Sequence, residues 1–144
     1  MAVLETLDAA HLREVVVGYR DALRTHQEKL NRLNVYPVPD GDTGTNMALT
    51  IESVLSEVGE GETETLEGVA RALSHGSLMG ARGNSGVILS QILRGVASVL
   101  GEHPAVDARV ITEGLLAAKE GAYRAVQEPV EGTILTVCRQ AADG

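Results

Sequence analysis

Apolar residues along this chain recur every three or four positions, the spacing that gathers them on one side of an α-helix. Between residues 8 and 33, Leu12, Val16, Tyr19, Leu23, Leu30 and Leu33 mark one such side, and Asp8 stands where an N-cap is needed. A second helix is predicted from about Asn46 to Val58, with Met47, Ile51, Val54, Leu55 and Val58 inward, and Gly59 to Gly61 should break it. A third, from about Thr65 to Ser77, turns Leu66, Val69, Ala70 and Leu73 inward and ends near Gly76. A fourth opens at Val87-Ile88-Leu89-Ser90-Gln91-Ile92-Leu93, apolar on nearly every side and therefore expected to be central and buried. A fifth spans about Asp107 to Val126, with Ile111, Leu115, Ala118, Ala122 and Ala125 on one face and Gly114 and Gly121 allowing close helix approach. After Pro129-Val130-Glu131-Gly132-Thr133 the pattern resumes at Ile134-Leu135 in a sixth. Alternating strand-like runs are missing, so the fold class predicted is all-α.

The 144 residues suffice for one domain with a real core, and no repeat, low-complexity segment or linker divides them. Apolar residues make up 44%, yet Phe and Trp are absent and only three Tyr occur, so the core must be aliphatic and rich in alanine. A formal charge of −8 and the lack of a basic stripe argue against nucleic-acid binding. The single Cys138, within an apolar helical pattern, reads as an inert buried thiol. No signal peptide opens the chain and no apolar run reaches spanning length, so a soluble cytoplasmic protein is expected.

The chemistry concentrates in Asn34-Val35-Tyr36-Pro37-Val38-Pro39-Asp40-Gly41-Asp42-Thr43-Gly44-Thr45-Asn46-Met47. Asp40 and Asp42 flank a glycine and would repel each other, an arrangement suited to a hard divalent cation. Thr43 to Asn46 would form the first turn of the second helix, whose unpaired N–H groups attract an anion. A well-solvated Asp-Gly turn is the plain alternative. A calcium loop of EF-hand type fails, because the sharp-turn glycine position holds Thr45 and the bidentate glutamate position holds Ile51.

A second glycine-rich stretch, Gly80-Ala81-Arg82-Gly83-Asn84-Ser85-Gly86, opens onto the fourth helix. A buried helix starting in glycines, Asn84 and Ser85 offers free backbone donors, a phosphate cradle by geometry and dipole, although no Walker-type Gly-Lys-Ser/Thr follows. Close packing alone would explain one such turn; two, one of them beside paired carboxylates, are harder to explain that way. Arg82 reads equally as a phosphate contact and as a solvated side chain, Thr133 as a hydroxyl donor or a simple N-cap, and His75 as a surface cap, since no second His stands at ligand spacing. No Ser-His-Asp or Cys-His constellation and no obvious general base is found.

Three of these stretches together, Asn34 to Met47, Leu78 to Gln91 and Pro129 to Val137, resemble the nucleotide-binding domain of bacterial fatty acid kinase, itself similar to the ADP-binding subunit of dihydroxyacetone kinase. The resemblance implies an antiparallel helical barrel, about eight helices in the family and about six here, with ATP or ADP at one rim and two magnesium ions. By position, Asp40 and Asp42 would hold magnesium and carry the catalytic role, with Asn34 the nearest counterpart of a third family aspartate, one residue out of register and neutral. Thr43, Gly44, Thr45, Asn46, Gly83, Asn84 and Ser85 would hold phosphates, and Thr133 with Ile134 would close the nucleotide pocket near Ala125. The family domain continues past Gly144 into further helices, so a fragment or a short homologue with an open site is expected.

What the resemblance implies in function is ATP-dependent phosphoryl transfer to an acceptor on a separate protein: a fatty acyl carboxylate on a lipid-binding partner, or dihydroxyacetone on a partner subunit. The motifs as they stand favour the first. A homodimer would form through regions outside this chain. A metal-dependent phosphatase and a nucleotide-binding module without turnover are the readings from other classes.

Overall fold

The computed structural model describes residues 6–33, 43–60, 65–103, 105–124 and 134–143. Seven helices order them: α1 (Ala9–Thr25), α2 (Gln27–Leu33), α3 (Thr43–Glu60), α4 (Leu66–Gly80), α5 (Gly83–Leu100), α6 (Ala108–Arg124) and α7 (Ile134–Asp143). The chain is an all-α bundle, as the periodicity predicts. Among the described residues the one β-type pairing is an isolated antiparallel bridge between Leu7 and Val106. None of the helices is long and apolar enough to cross a membrane.

The caps explain several boundaries. Asp8 accepts the His11 N–H at 3.0 Å at the head of α1, Thr65 accepts the Gly68 N–H at 3.0 Å at α4, and Asp107 accepts the Val110 N–H at 2.9 Å at α6. Where one helix is predicted over residues 8–33 there are two. His26 leaves the helical conformation at φ −104° and ψ 10°, and the Thr25 hydroxyl bonds back to the Asp21 carbonyl at 2.9 Å. That break raises the helix count among the described residues from six to seven and leaves the second half at the edge of the core: Leu30 packs against it half-buried and Leu33 is exposed. Tyr19 also lies at the surface, whereas Leu12, Val16 and Leu23 are buried as predicted.

α3 ends at Glu60, within the predicted break, whereas the glycine stop predicted near Gly76 is overridden and α4 continues to Gly80. The reason at α4 is close packing. A Cβ on Gly76 would lie 2.9 Å from the Val54 Cα, and one on Gly80 would collide with the Ser53 side chain, so both glycines let α4 lie tightly on α3. That contact outweighs the roughly 1 kcal/mol a glycine costs inside a helix. His75 therefore lies within α4 and caps nothing; its Nδ1 faces Glu57 Oε1 at 2.7 Å.

Successive helices pack on one another, α3 on α4, α4 on α5, α5 on α6 and α6 on α7, while α1 and α2 lie on α3. Short connections such as Ala81–Arg82 make neighbours antiparallel. The core is aliphatic, with Ile51, Val54, Val69, Leu89 and Val106 almost wholly enclosed, each such side chain contributing about 1.5–3 kcal/mol. α5 is central, touching α3, α4 and α6, but its apolar surround is not all enclosed, since Val87 is 47% exposed. Ile111, expected inward on α6, is also exposed, while Gly114 and Ala118 lie against α5 and Ala122 is buried. Cys138 is buried on α7, and burial pushes its thiol pKa up, with Lys119 opposing, which suits an inert thiol.

The same substitution should have opposite effects at two glycines. A Cβ at Gly95 would sit 2.6 Å from the Ala117 carbonyl oxygen and 2.7 Å from the Ala118 Cα, forcing α5 and α6 apart. Gly95→Ala should therefore lower stability by about 1–3 kcal/mol. Gly18, on the exposed side of α1 with nothing within 4 Å, should gain about 0.5–1 kcal/mol on change to alanine. Thermal unfolding of the two variants beside the parent reads both signs.

The Asp8 cap carries a pH signature. The His11 backbone N–H holds the Asp8 carboxyl below its ordinary 3.8, opposed by desolvation and helped by the charge of His11. A depressed folded-state pKa adds stability that is present above 3.8 and is lost as pH falls through the folded value. The melting temperature of Asp8→Ala should fall below that of the parent near neutral pH, and the gap should close in acid below 3.8.

Candidate functional site

The two predicted anion-binding turns meet in space. α5 begins at Gly83, the one residue described with φ in the left-handed region, at +65°. A side chain there would run into the Asn46 amide in the first turn of α3, so the glycine is required both for its dihedral and for its neighbour. One turn further on, Gly86 faces the Thr50 hydroxyl. Thr50 is fully buried and joins the two elements: its Oγ1 donates to the Asn46 carbonyl at 2.8 Å and accepts the Arg82 N–H at 3.2 Å. The linker between α4 and α5 is thereby tied to α3.

The glycine-rich stretch is far shorter as a loop than the sequence suggests. Only Ala81 and Arg82 lie outside a helix, and Gly83 to Gly86 already form the first turn of α5. Arg82 occupies the N-cap position in extended conformation and makes no side-chain cap bond. The first-turn N–H groups of a helix have no intrahelical acceptor and together carry about half a positive charge. Asn84 is exposed and Ser85 half-buried at this end, so both can meet a ligand. The arrangement suits an oxyanion.

At the start of α3 the donors are partly committed. The Asn31 side chain accepts the Thr45 N–H at 3.1 Å and donates to the Thr45 hydroxyl at 3.0 Å, and Gln27 donates to the same hydroxyl at 3.0 Å. Gly44 lies directly against the Gln27 carbonyl, where no Cβ fits. Thr45 and Gly44 thus anchor α3 to α2, and Asn46 is the first-turn residue that reaches α5. Asn34, Asp40, Asp42, Ala125 and Thr133 lie outside the described residues, as does the side chain of Ile134. Among the described residues no group of three or more His, Cys, Asp or Glu is placed to hold a metal ion.

Gln27, Asn31 and Thr50 escape a reading of the sequence. Thr50 did leave a trace: it is a polar residue in the inward stripe of Met47, Ile51 and Val54. Gln27 and Asn31 stand four apart on one helix face, but nothing in the sequence says that α3 begins against that face.

A model of the DAK2 domain matches residues 37–144. This chain belongs to the DAK2 domain family. The domain is DhaL-like, of the dihydroxyacetone kinase family, which is associated with kinase activity and whose DhaL-like domains bind ADP or ATP. Among curated relatives, protein YloV of Bacillus subtilis is 45% identical over 139 residues, covering 96% of this chain and 25% of that protein. An uncharacterized protein of Staphylococcus saprophyticus is 43% identical over 141 residues, covering 98% of this chain and 26% of its own length. An uncharacterized protein of Staphylococcus aureus strain USA300 is 44% identical over 129 residues. The chain spans about a quarter of the length of these relatives. The match begins at Pro37 and so takes in both helix N-termini that converge at Asn46 and Gly83.

Thr50→Val in this DAK2 domain keeps shape but removes the shared hydroxyl, leaving the Arg82 N–H without its acceptor. It should cost about 1–3 kcal/mol, read by denaturant unfolding. Loosening should be local, with faster amide exchange at Arg82 to Gly86 than in the parent.

Proposed function

We propose that this DAK2 domain is the ATP site of a cytoplasmic kinase whose acceptor, a fatty acyl carboxylate, is presented by a separate lipid-binding protein. The observation that supports it most is the meeting of the α3 and α5 N-termini at Asn46 and Gly83, which puts two sets of backbone donors on one side of the bundle. In this reading the N–H groups of Gly83, Asn84 and Ser85 take phosphate oxygens, and Gly83, with no Cβ, lets the Asn46 amide lie beside them.

Thr45 fits the same role through its hydroxyl. Gln27 and Asn31 fill both acceptor positions of its oxygen, so its own proton is the one left to donate, and an oxyanion is the natural acceptor. Thr43 and Gly44 begin the same turn, beside the carboxylates of Asp40 and Asp42 in the sequence. Those two carboxylates, with Asn34, are the donors we assign to magnesium, a hard cation that favours oxygen ligands. When bound, magnesium supplies positive charge on the phosphate oxygens. A chain of charge −8 would otherwise repel a triphosphate. Thr133, Ile134 and Ala125 are proposed to border the nucleotide.

The protein's part in such a transfer is positioning and fixed electrostatics, since phosphoryl transfer asks for little covalent chemistry from the chain. That agrees with the lack of an obvious general base here and with an acceptor brought by a partner.

Calorimetric titration of ATP, with and without magnesium, on the parent chain and on Asp42→Asn tests this. Affinity should fall by at least about tenfold on removing magnesium and again in the variant. Equal affinity in all arms would refute the magnesium and carboxylate assignment. Transfer to dihydroxyacetone but not to a partner-bound acyl chain would move the acceptor to the dihydroxyacetone class, and phosphate release without acceptor would make the protein a phosphatase.

A further inference from the structure

A cleft of about 570 Å³ opens on the flank of the bundle, between α4 and α6 and across α5, and shares no residue with the candidate phosphate site. Three of its lining residues are Arg71, Arg94 and Arg124, one from each of three successive helices. In a chain with 12 basic against 20 acidic side chains, such a gathering needs an explanation. Glu67 is the one carboxylate on the wall. It pairs with Arg71 at 3.2 Å, where both side chains are more than 70% exposed, so the pair is weak and readily exchanged. Arg94 and Arg124 make no ion pair among the described residues and are exposed.

The floor is built for close approach. Gly95 lies against the Ala117 backbone and Gly121 against the Gln91 carbonyl at a would-be Cβ distance of 3.1 Å, so α5 and α6 form a rigid, side-chain-poor base. Ser74, Gln91 and Ser98 add hydrogen-bonding groups. The volume falls in the range of small-molecule sites, about 300–1,000 Å³. Guanidinium forks pair with phosphate and carboxylate oxygens two at a time. We propose that this flank cleft is a second ligand site, which binds a small oxyanion of two or more negative charges through Arg94 and Arg124, with Arg71 released from Glu67 to join them. A small ligand is favoured over an extended acidic partner because the three arginines line one open cleft of small-molecule size.

Pyrophosphate and citrate are the probes, titrated without magnesium, in chelator, into isotope-labelled 144-residue chain and followed by amide NMR. Saturable shifts are expected at the Gly95, Ser98 and Gly121 amides and the Gln91 side chain. Affinity should drop by about tenfold or more in Arg94→Gln/Arg124→Gln and by less in Arg71→Gln. Tighter pyrophosphate than citrate would identify a phosphorylated ligand, and equal binding a general oxyanion site. If the double variant does not fold, Arg94→Lys and Arg124→Lys, which keep the charge but lose the fork, should each weaken binding severalfold in a chain whose spectrum is otherwise unchanged. Shifts confined to Gly83, Asn84 and Ser85, a linear response, or equal affinity in parent and variants would overturn the proposal. So would tighter binding of a glutamate-rich peptide than of either small anion.

Discussion

The whole candidate site hangs on one shared hydroxyl. Thr50 is fully enclosed, and its oxygen takes the Arg82 N–H while its proton goes to the Asn46 carbonyl. Both bonds are partly buried, and together they hold the α4–α5 linker to α3 at a fixed height. Gly83 then falls beside Asn46, and the two helix N-termini open on the same side. Gly76 and Gly80 seat α4 on α3 just before the linker, and the Thr50 tie carries that register on to the start of α5.

Packing supplies the rest of the rigidity in an unusual way for a core without Phe or Trp. Lacking large rings to fill space, the helices come together until backbone meets backbone. Gly76 and Gly80 seat α4 on α3, Gly95 seats α5 on α6, and Gly44 seats α3 on the Gln27 carbonyl of α2. Each contact allows little slack, because a single methyl group at Gly95 or Gly44 would strike main-chain atoms that cannot rotate away. The alanines of α6 serve the same end, with Ala118 and Ala122 fully buried.

Charge is arranged against the net balance. The chain carries −8 overall, yet the helix dipoles at the α3 and α5 N-termini and the three arginines lining the flank cleft each contribute positive potential locally. At the N-termini the potential comes from oriented peptide groups and is fixed by the fold. At the cleft it comes from long side chains that can move, a difference that suits a precisely held reactant in one case and an adaptable oxyanion in the other. Belonging to the DAK2 domain family accords with the first of these sites; the second rests on this structure alone.

Much of this architecture was legible in the order of residues. Period-3.6 spacing decided the helical class, the aliphatic core and most helix positions, and Asp8 and Thr65 announce their helices because a short polar side chain before an apolar stripe has one favourable use. The Gly83-Asn84-Ser85 turn was visible for a similar reason. Sequence alone could not say that His26 breaks the first helix, that α4 runs through Gly76, or that Arg94, Arg71 and Arg124 share a cleft. The last two of those outcomes depend on contacts between residues far apart in the chain. A glycine that costs about 1 kcal/mol locally is kept in a helix when a neighbouring backbone fits against it, and only the tertiary structure brings that neighbour.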